Sequence, residues 1–464
     1  MKPTLRFVVM GDLHYVQEQS HRKALNGNPR GVTEFADITR NLWMTRNVTP
    51  RVIDEIAALK PDFVIQTGDI IQGHCDDEAS GLQEMKEAME LLKQLKAPVF
   101  FALGTHDGVV GKREEEQVNQ FVYPAIGQAM GSTPVTKGYY TFEKAGSLFI
   151  VLDYTAFAKG DVQEDFIMET FAESAKYEHV FLFAHPPLIC VGRPFFTHYD
   201  FAHTVLREIA DHPVDAYFCG HTHNQVSTLH KVGEHWMPQL KSSVLGYPEL
   251  APISLSDVRT ILPDPSSFEY GWGYLEDSAP GWWVINVEGE AVQADWHVLQ
   301  RGVAGRLSWR RGEKASFTQK PDFAKTSGLA LSDRSDIRSV QLRAAGSNCK
   351  PAEDYRVYLN GIEVGTLPRL EYFDSRQSMK LDPQYWPLLD MHNQIEVTTG
   401  DEPMCIGGFV LEVETTDGWV RSTVSDYYAN CDRWDRWGQS PMEKIVPRQT
   451  IRTELCFGPR GERR

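Results

Sequence analysis

The sequence predicts an α/β domain, a β-sheet flanked by helices, followed by a C-terminal all-β domain of the β-sandwich kind. Three observations predict it. Six short apolar runs recur down the first half of the chain, each ends directly in a block of aspartate and histidine, and the pattern beyond residue 325 changes to alternating, hairpin-forming segments.

The runs are Phe7–Met10, Phe63–Ile65, Val99–Leu103, Phe149–Leu152, Val180–Phe183 and Ala216–Cys219. Unbroken apolar runs of this length suit strands buried on both faces, as in a sheet covered by helices. Helices fit between them. Thr49 and Pro50 offer a cap and first position for a helix carrying Val52, Ile53, Ile56 and Leu59. Leu82, Met85, Met89, Leu92 and Leu95 form a second apolar stripe, which Pro98 stops. Trp282–Val287 and Ala291–Val298 flank Glu288-Gly289-Glu290 as a closing hairpin. Arg301–Lys325, with Arg306, Arg310, Arg311 and Lys314, lacks a clear period and is expected to be a linker. Beyond it, Tyr355–Leu359 meets Asn360-Gly361 and returns through Ile362–Leu367, a strong hairpin signal, and Asp417-Gly418 is flanked in the same way. The expected organisation is a catalytic domain over 1–300, a basic linker over 301–324 and a β-sandwich accessory domain over 325–464.

The blocks at the strand ends read Asp12-Leu13-His14, Gly68-Asp69, Gly104-Thr105-His106-Asp107, Asp153, Ala184-His185-Pro186 and Gly220-His221-Thr222-His223. Their placement gathers them at one sheet edge, where open α/β sheets usually hold their sites. Carboxylates with imidazoles are what borderline divalent metals such as manganese, iron and zinc prefer. A single histidine here would be a hydrogen-bonded core or loop residue; this many blocks in series point to a metallohydrolase.

In these blocks the chain resembles the calcineurin-like metallophosphoesterase family, whose pattern runs Asp-x-His, Gly-Asp, Gly-Asn-His-Asp/Glu, a lone His, then Gly-His-x-His. The resemblance covers residues 1–300. It implies a metallophosphoesterase-type β-sheet sandwich flanked by helices and a centre of two divalent ions (Mn, Fe or Zn). Asp69 would bridge both, Asp12, His14 and His223 would bind the first, and His185 and His221 the second. His106 would be the general acid at the leaving group, with Asp107 orienting it. The family's asparagine is Thr105 here, so the second site has a poorer ligand and three expectations: a gap filled by a neighbour or substrate, a weak second site, or a centre without its reaction. His74, Cys75, Asp76 and Asp77 are a candidate replacement, solvated loop residues being the plainer expectation. Gln72, where a purple acid phosphatase needs tyrosine, disfavours that branch.

The implied function is hydrolysis of a small-molecule phosphodiester, a nucleotide or similar, through a metal-bridging hydroxide. The diester expectation rests on aspartate at 107. A phosphomonoesterase on a nucleotide or sugar phosphate is the alternative, and a non-catalytic scaffold of the same fold a third. Three segments frame the centre: Gln17–Met44, Cys190–His203 and Phe268–Trp283. In the second, Arg193 and His198 are the candidate substrate-binding residues, arginine because it pairs with phosphate. The aromatic-rich stretch Tyr427–Trp437 is expected to pack, a sugar-binding face being the other expectation.

The net charge of −16 over 464 residues disfavours a general nucleic-acid binder but leaves a nucleotide substrate open. The apolar runs are too short to cross a bilayer, and Met1-Lys2-Pro3-Thr4 runs straight into the first strand without a signal-peptide pattern. Seven cysteines without such a signal fit a reducing cytoplasm. Homo-oligomerisation is left open.

Overall fold

A computed structural model describes residues 5–27, 34–108, 116–131, 135–158, 160–189, 198–223, 226–244, 268–273, 280–300, 302–319, 337–347, 355–367, 375–401, 404–416, 418–422, 425, 427–430 and 443–457. The chain forms two compact units.

The first unit holds two seven-stranded sheets. One runs in the order β14-β13-β12-β11-β1-β2-β3, the other β10-β8-β9-β7-β6-β5-β4. The first three apolar runs are the parallel strands β1 (Leu5–Met10), β2 (Phe63–Gln66) and β3 (Val99–Phe101). After the β-strand β4 (Tyr140–Lys144), the other three are β5 (Ser147–Val151), β6 (His179–Phe183) and β7 (Ala216–Cys219), also parallel. The second sheet is completed by β8 (Val226–Val232), β9 (His235–Lys241) and β10 (Phe268–Gly273). Phe7 of β1 stacks on Phe63 at 5.1 Å and meets Phe149, Phe181 and Phe218 of the other sheet edge-on at 5.5, 5.2 and 6.1 Å. The two sheets therefore share one aromatic core, and rings in offset and T-shaped pairs add to their area burial. The six strand ends that carry the aspartate and histidine blocks are thus divided between two sheets packed face to face, not gathered at the edge of one.

The expected hairpin is formed by β11 (Gly281–Glu288) and β12 (Ala291–Val298), turning at Gly289 with φ +55°. Trp282 and Trp283 are buried, so this part of the third segment is core. Residues 302–319, expected within a basic linker, are instead the strands β13 (Gly302–Arg310) and β14 (Ser316–Gln319), which extend the first sheet. Their arginines sit on an outward face: Arg306 lies opposite Asp295 across the ladder and bonds both of its carboxylate oxygens, at 2.6 and 3.0 Å.

Helices cover the sheets. The helix Thr49–Ala58 starts one residue earlier than expected, with Val48 as its cap and Thr49 buried inside it. In the helix Glu78–Leu92 the Asp77 side chain caps Ser80 N–H at 2.8 Å, and Met85, Met89 and Leu92 are buried. Glu84 is buried on the same helix. No described helix is long and apolar enough to cross a membrane.

His230 on β8 is fully buried, its Nε2 2.7 Å from Thr228 Oγ1. Burial pushes its pKa down to about 3, below the ordinary 6.5. The unfolded chain therefore takes up this proton first as pH falls through 6.5, and the folded state does so only near 3. Stability should fall by about 2 kcal/mol between pH 7.5 and 5 from this group alone. Chemical denaturation of His230→Gln at both pH values should show that share of the dependence gone; an unchanged dependence would remove His230 as its source.

The second unit is all β. One sheet runs β18-β15-β20-β22-β23, with β21 beside β20, and the other β17-β16-β19-β24. Its strands are β15 (Ile337–Ser347), β16 (Arg356–Leu359), β17 (Ile362–Thr366), β18 (Ser375–Lys380), β19 (His392–Val397), β20 (Cys405–Thr415), β21 (Gly418–Arg421), β22 (Tyr427–Ala429), β23 (Glu443–Lys444) and β24 (Ile451–Cys456). Side chains of both sheets, among them Leu342 and Leu411 from one and Leu359, Val397 and Leu455 from the other, share one core, as in a sandwich. Asn360 and Gly361, at φ +51° and +83°, make the tight turn between β16 and β17 that this dipeptide favours. Most of the aromatic-rich stretch, 431–437, lies outside the described residues.

Candidate metal centre

Three of the blocks leave their strands through a sharp turn. Asp12, His14, Asp69, His221 and His223 all have φ between +42° and +70°. Non-glycine residues in this left-handed region cost on the order of 1–3 kcal/mol each and persist where surrounding structure holds them, typically at functional sites. Here the blocks hold one another. Asp12 N–H donates to Gly68 O at 3.1 Å, His14 N–H to Asp69 O at 2.9 Å and Gly220 N–H to His185 O at 2.9 Å. Gln66 braces the Gly68 turn from both sides, accepting from Gly68 N–H at 2.6 Å and donating to Gly68 O at 2.8 Å. Space requires glycine at several of these turns: a Cβ on Gly68, at φ +107°, would lie 2.5 Å from His185 Nδ1, and one on Gly104 would lie 2.2 Å from Asp69 Oδ1.

Two clusters of donor atoms result. Asp12, His14, Asp69 and His223 form one, Asp69, His185 and His221 the other, with Asp69 common to both. Asp69 Oδ1 is fixed by His106 N–H at 2.9 Å. Its Oδ2 lies 3.2 Å from His14 Nε2 and 3.1 Å from His185 Nε2, between the two imidazoles. Six of the seven residues expected as ligands are therefore brought together. The seventh, Thr105, starts the short helix Thr105–Gly108 and faces the Tyr154 hydroxyl.

The protonation pattern tests whether cations fit. His14 Nδ1 donates to Gln72 Oε1 at 2.9 Å; that oxygen also accepts Asn41 Nδ2–H at 2.6 Å. His14 is held neutral, since burial lowers its pKa, so its Nε2 presents a lone pair to Asp69 Oδ2 and, at 3.1 Å, to His223 Nε2. His185 Nδ1 donates to Thr67 O at 2.8 Å, leaving Nε2 aimed at the same Asp69 oxygen. Burial opposes a charge on His185, but the Asp69 carboxylate outweighs it and raises the pKa to about 9. Asp69 itself is held well below the usual carboxylate range, because His185, His106 and His14 outweigh its burial. Burial pushes Asp12 up to about 7, and its Oδ2 makes no hydrogen bond among the described residues. Imidazole Nε2 atoms and carboxylates converging, with the outer nitrogens of His14 and His185 held by Gln72 Oε1 and Thr67 O, are the donor set that divalent cations complete by displacing protons.

Gln72 is the residue that sequence reasoning missed as a positioning group. Its amide orients His14, and its carbonyl accepts His106 Nδ1–H at 2.6 Å. Asp107, expected to orient His106, does not: its Oδ1 accepts Ile70 N–H at 2.7 Å and its Oδ2 accepts Gly104 N–H at 3.1 Å. It braces the turns that carry Asp69 and Thr105 because two backbone donors at those turns need an acceptor. Asp153 likewise caps a turn, accepting from Thr155 N–H at 3.0 Å. Gln72→Ala should weaken metal binding by about 10–100-fold, the usual cost of losing an outer-sphere partner, while the backbone acceptor for His106 stays. Manganese titration by calorimetry reads this; unchanged affinity would show that His14 needs no such orientation.

Aromatic residues wall the second cluster. The buried Tyr154 ring lies 5.9 Å from His185, 6.0 Å from His221 and 4.6 Å from His198. Burial and the charge on His185 lower the His198 pKa to about 4. His198 thus stands beside the centre as expected, whereas Arg193 lies outside the described residues. Tyr154 had no signal beyond following an apolar run.

Residues 5–225 match the family model described as calcineurin-like phosphoesterase. No curated protein matches the chain. Among solved structures the chain is similar to a dimetal phosphatase from Danio rerio, with 14% identity over 68% of this chain and 99% of that one at a TM-score of 0.43. It is also similar to a purple acid phosphatase from yellow lupin (Lupinus luteus) seeds, with 14% identity over 70% and 57% at 0.42. A third is GAP50, the anchor in the inner membrane complex of Plasmodium, with 13% identity over 67% and 89% at 0.41.

Proposed function

We propose, for a chain whose residues 5–225 form a calcineurin-like phosphoesterase domain, that this metal-dependent phosphoric ester hydrolase cleaves a small-molecule phosphodiester. The observation that carries the reading is Asp69 Oδ2 lying between two imidazole nitrogens, at 3.2 and 3.1 Å. Asp69 would be shared by two divalent ions, Asp12, His14 and His223 completing one site and His185 and His221 the other, with Thr105 a weak additional ligand. Such ions supply Lewis acidity at the phosphoryl oxygens and a nucleophile from water at neutral pH.

The chain's own residues do the rest. With Nδ1–H given to the Gln72 carbonyl, His106 exchanges protons with a substrate only through Nε2, and its ring lies 4.6 Å from that of His14. It donates a proton to the departing alkoxide. Tyr154 and His198, backed by Phe157 and Phe201 in edge-on contacts, give a largely aromatic wall suited to an organic substituent of a diester. Aspartate at 107, engaged with backbone, no longer argues for a diester; the aromatic wall does. The negative net charge favours a small substrate over a nucleic-acid polymer.

Metal-stripped protein titrated with manganese tests this against bis(p-nitrophenyl) phosphate and p-nitrophenyl phosphate. Diester turnover should rise in a tight and then a weak metal phase, the second reporting Thr105. Faster monoester turnover would make the enzyme a phosphomonoesterase, and none with either ester would leave the fold as a scaffold.

A further inference from the structure

Outside the two clusters, three metal-ligating side chains converge below the turn that follows Gln72. His21 Nε2 lies 3.3 Å from Glu84 Oε1 and 3.0 Å from Glu84 Oε2. Cys75 Sγ lies 3.4 Å from Glu84 Oε1 and 3.9 Å from His21 Nε2. His21 and Glu84 are 1% and 0% exposed, and the three donors come from three separate places: a short helical turn, the loop after Gln72, and the helix Glu78–Leu92. Glu84 occupies the buried side of a helix whose other buried positions are mainly apolar.

We propose that His21, Cys75 and Glu84 form a third, structural metal site that takes one zinc ion. Geometry and chemistry support it together. A tetrahedral zinc with nitrogen and oxygen at about 2.0–2.1 Å and sulfur at about 2.3 Å requires N···O near 3.3–3.4 Å and S···N and S···O near 3.5–3.6 Å. The triangle of Nε2, Oε1 and Sγ, at 3.3, 3.4 and 3.9 Å, needs only a few tenths of an ångström of adjustment. The mixed nitrogen, oxygen and thiolate set suits zinc over magnesium or calcium. The second carboxylate oxygen is held by Gln17 N–H at 2.9 Å, an outer-sphere contact that orients a ligating carboxylate. Gln117, 3% exposed, leaves Oε1 without a hydrogen-bond partner among the described residues. Its amide abuts Gly81: a Cβ there would lie 2.2 Å from Gln117 Nε2 and 3.7 Å from Cys75 Sγ. The Gln117 side chain therefore packs beside the same helix position as Cys75, and the fourth coordination position is left to water.

The segments that carry His21 and Cys75 are pinned to each other as well. Asp76 N–H donates to Ser20 O at 2.7 Å, and Lys23 N–H to Asp76 Oδ2 at 3.0 Å. The ion would lock the segment from Gln72 to Cys75, and with it both histidines that Gln72 orients. By contrast, the grouping of His392, Glu454 and Cys456 has its histidine and glutamate side chains 71% and 64% exposed, and they already bond each other at 3.0 Å.

The full chain is loaded with zinc, dialysed, and its metal counted per chain by mass spectrometry. Cys75→Ser and His21→Gln should each lose one equivalent relative to the parent, whereas Asp69→Asn should keep that equivalent. In cobalt-loaded parent protein a thiolate-to-cobalt charge-transfer band should appear in the near ultraviolet, survive in Asp69→Asn and vanish in Cys75→Ser. Equal zinc in parent and Cys75→Ser, or a band that survives that substitution, overturns the proposal. If the variants fail to fold, parent protein without the band overturns it alone. Neither readout depends on turnover, so the outcome is separate from the phosphoesterase reading.

Discussion

Replacing His106 with alanine is expected to slow ester hydrolysis by about 10²–10⁴-fold, the usual contribution of a general acid, with both metal equivalents at the centre retained. The expectation follows from which atoms His106 uses. Its backbone N–H, not its ring, holds Asp69 Oδ1 at 2.9 Å, and alanine keeps that N–H. Its ring Nδ1 is spent on the Gln72 carbonyl, so the ring reaches the centre through Nε2 alone. The loss should shrink for a substrate whose leaving group needs no proton, such as a nitrophenolate, and grow for an alkoxide. Comparing aryl and alkyl diesters on parent and variant, alongside metal counting, checks both statements. Loss of metal in step with activity would make His106 a ligand instead of an acid.

Asp69→Asn is expected to have the larger effect on metal. The carboxylate is common to both clusters, and its charge outweighs the burial of His185 and raises that group. Asparagine keeps the shape but removes the charge between two imidazoles. Both ions at the centre should be weakened together, and turnover at fixed metal should fall by several kcal/mol of transition-state stabilisation, about a thousandfold or more. Calorimetric titration with manganese reads the coupled loss. Weakening of one ion alone would mean that Asp69 does not bridge.

The two donor clusters were legible because each residue in them carries a local signature: a short apolar run, then a carboxylate or histidine shortly after it. That pattern singled out Asp12, His14, Asp69, His185, His221 and His223, and the family resemblance implied their sharing between two ions. Asp107 was misread for the opposite reason. The family resemblance implied that it orients His106, but a side chain buried among turns bonds whichever backbone donors face it, here Ile70 and Gly104. The region 302–319 was misread because its arginines masked strand alternation; Arg306 faces outward against Asp295 while Leu307 faces the core.

Local sequence by itself determined the six apolar strands, the hairpins at Asn360-Gly361 and Glu288-Gly289-Glu290, and the aspartate and histidine blocks that follow those strands, since each depends on a few neighbouring residues. Tertiary structure alone decided that the six runs divide between two sheets, that Gln72 links His14 to His106, that Tyr154 walls the second cluster, and that His21, Cys75 and Glu84 meet. These are contacts between segments tens to hundreds of residues apart. They are fixed by how two sheets stack around the Phe7 ring and its neighbours, a packing that no local periodicity encodes.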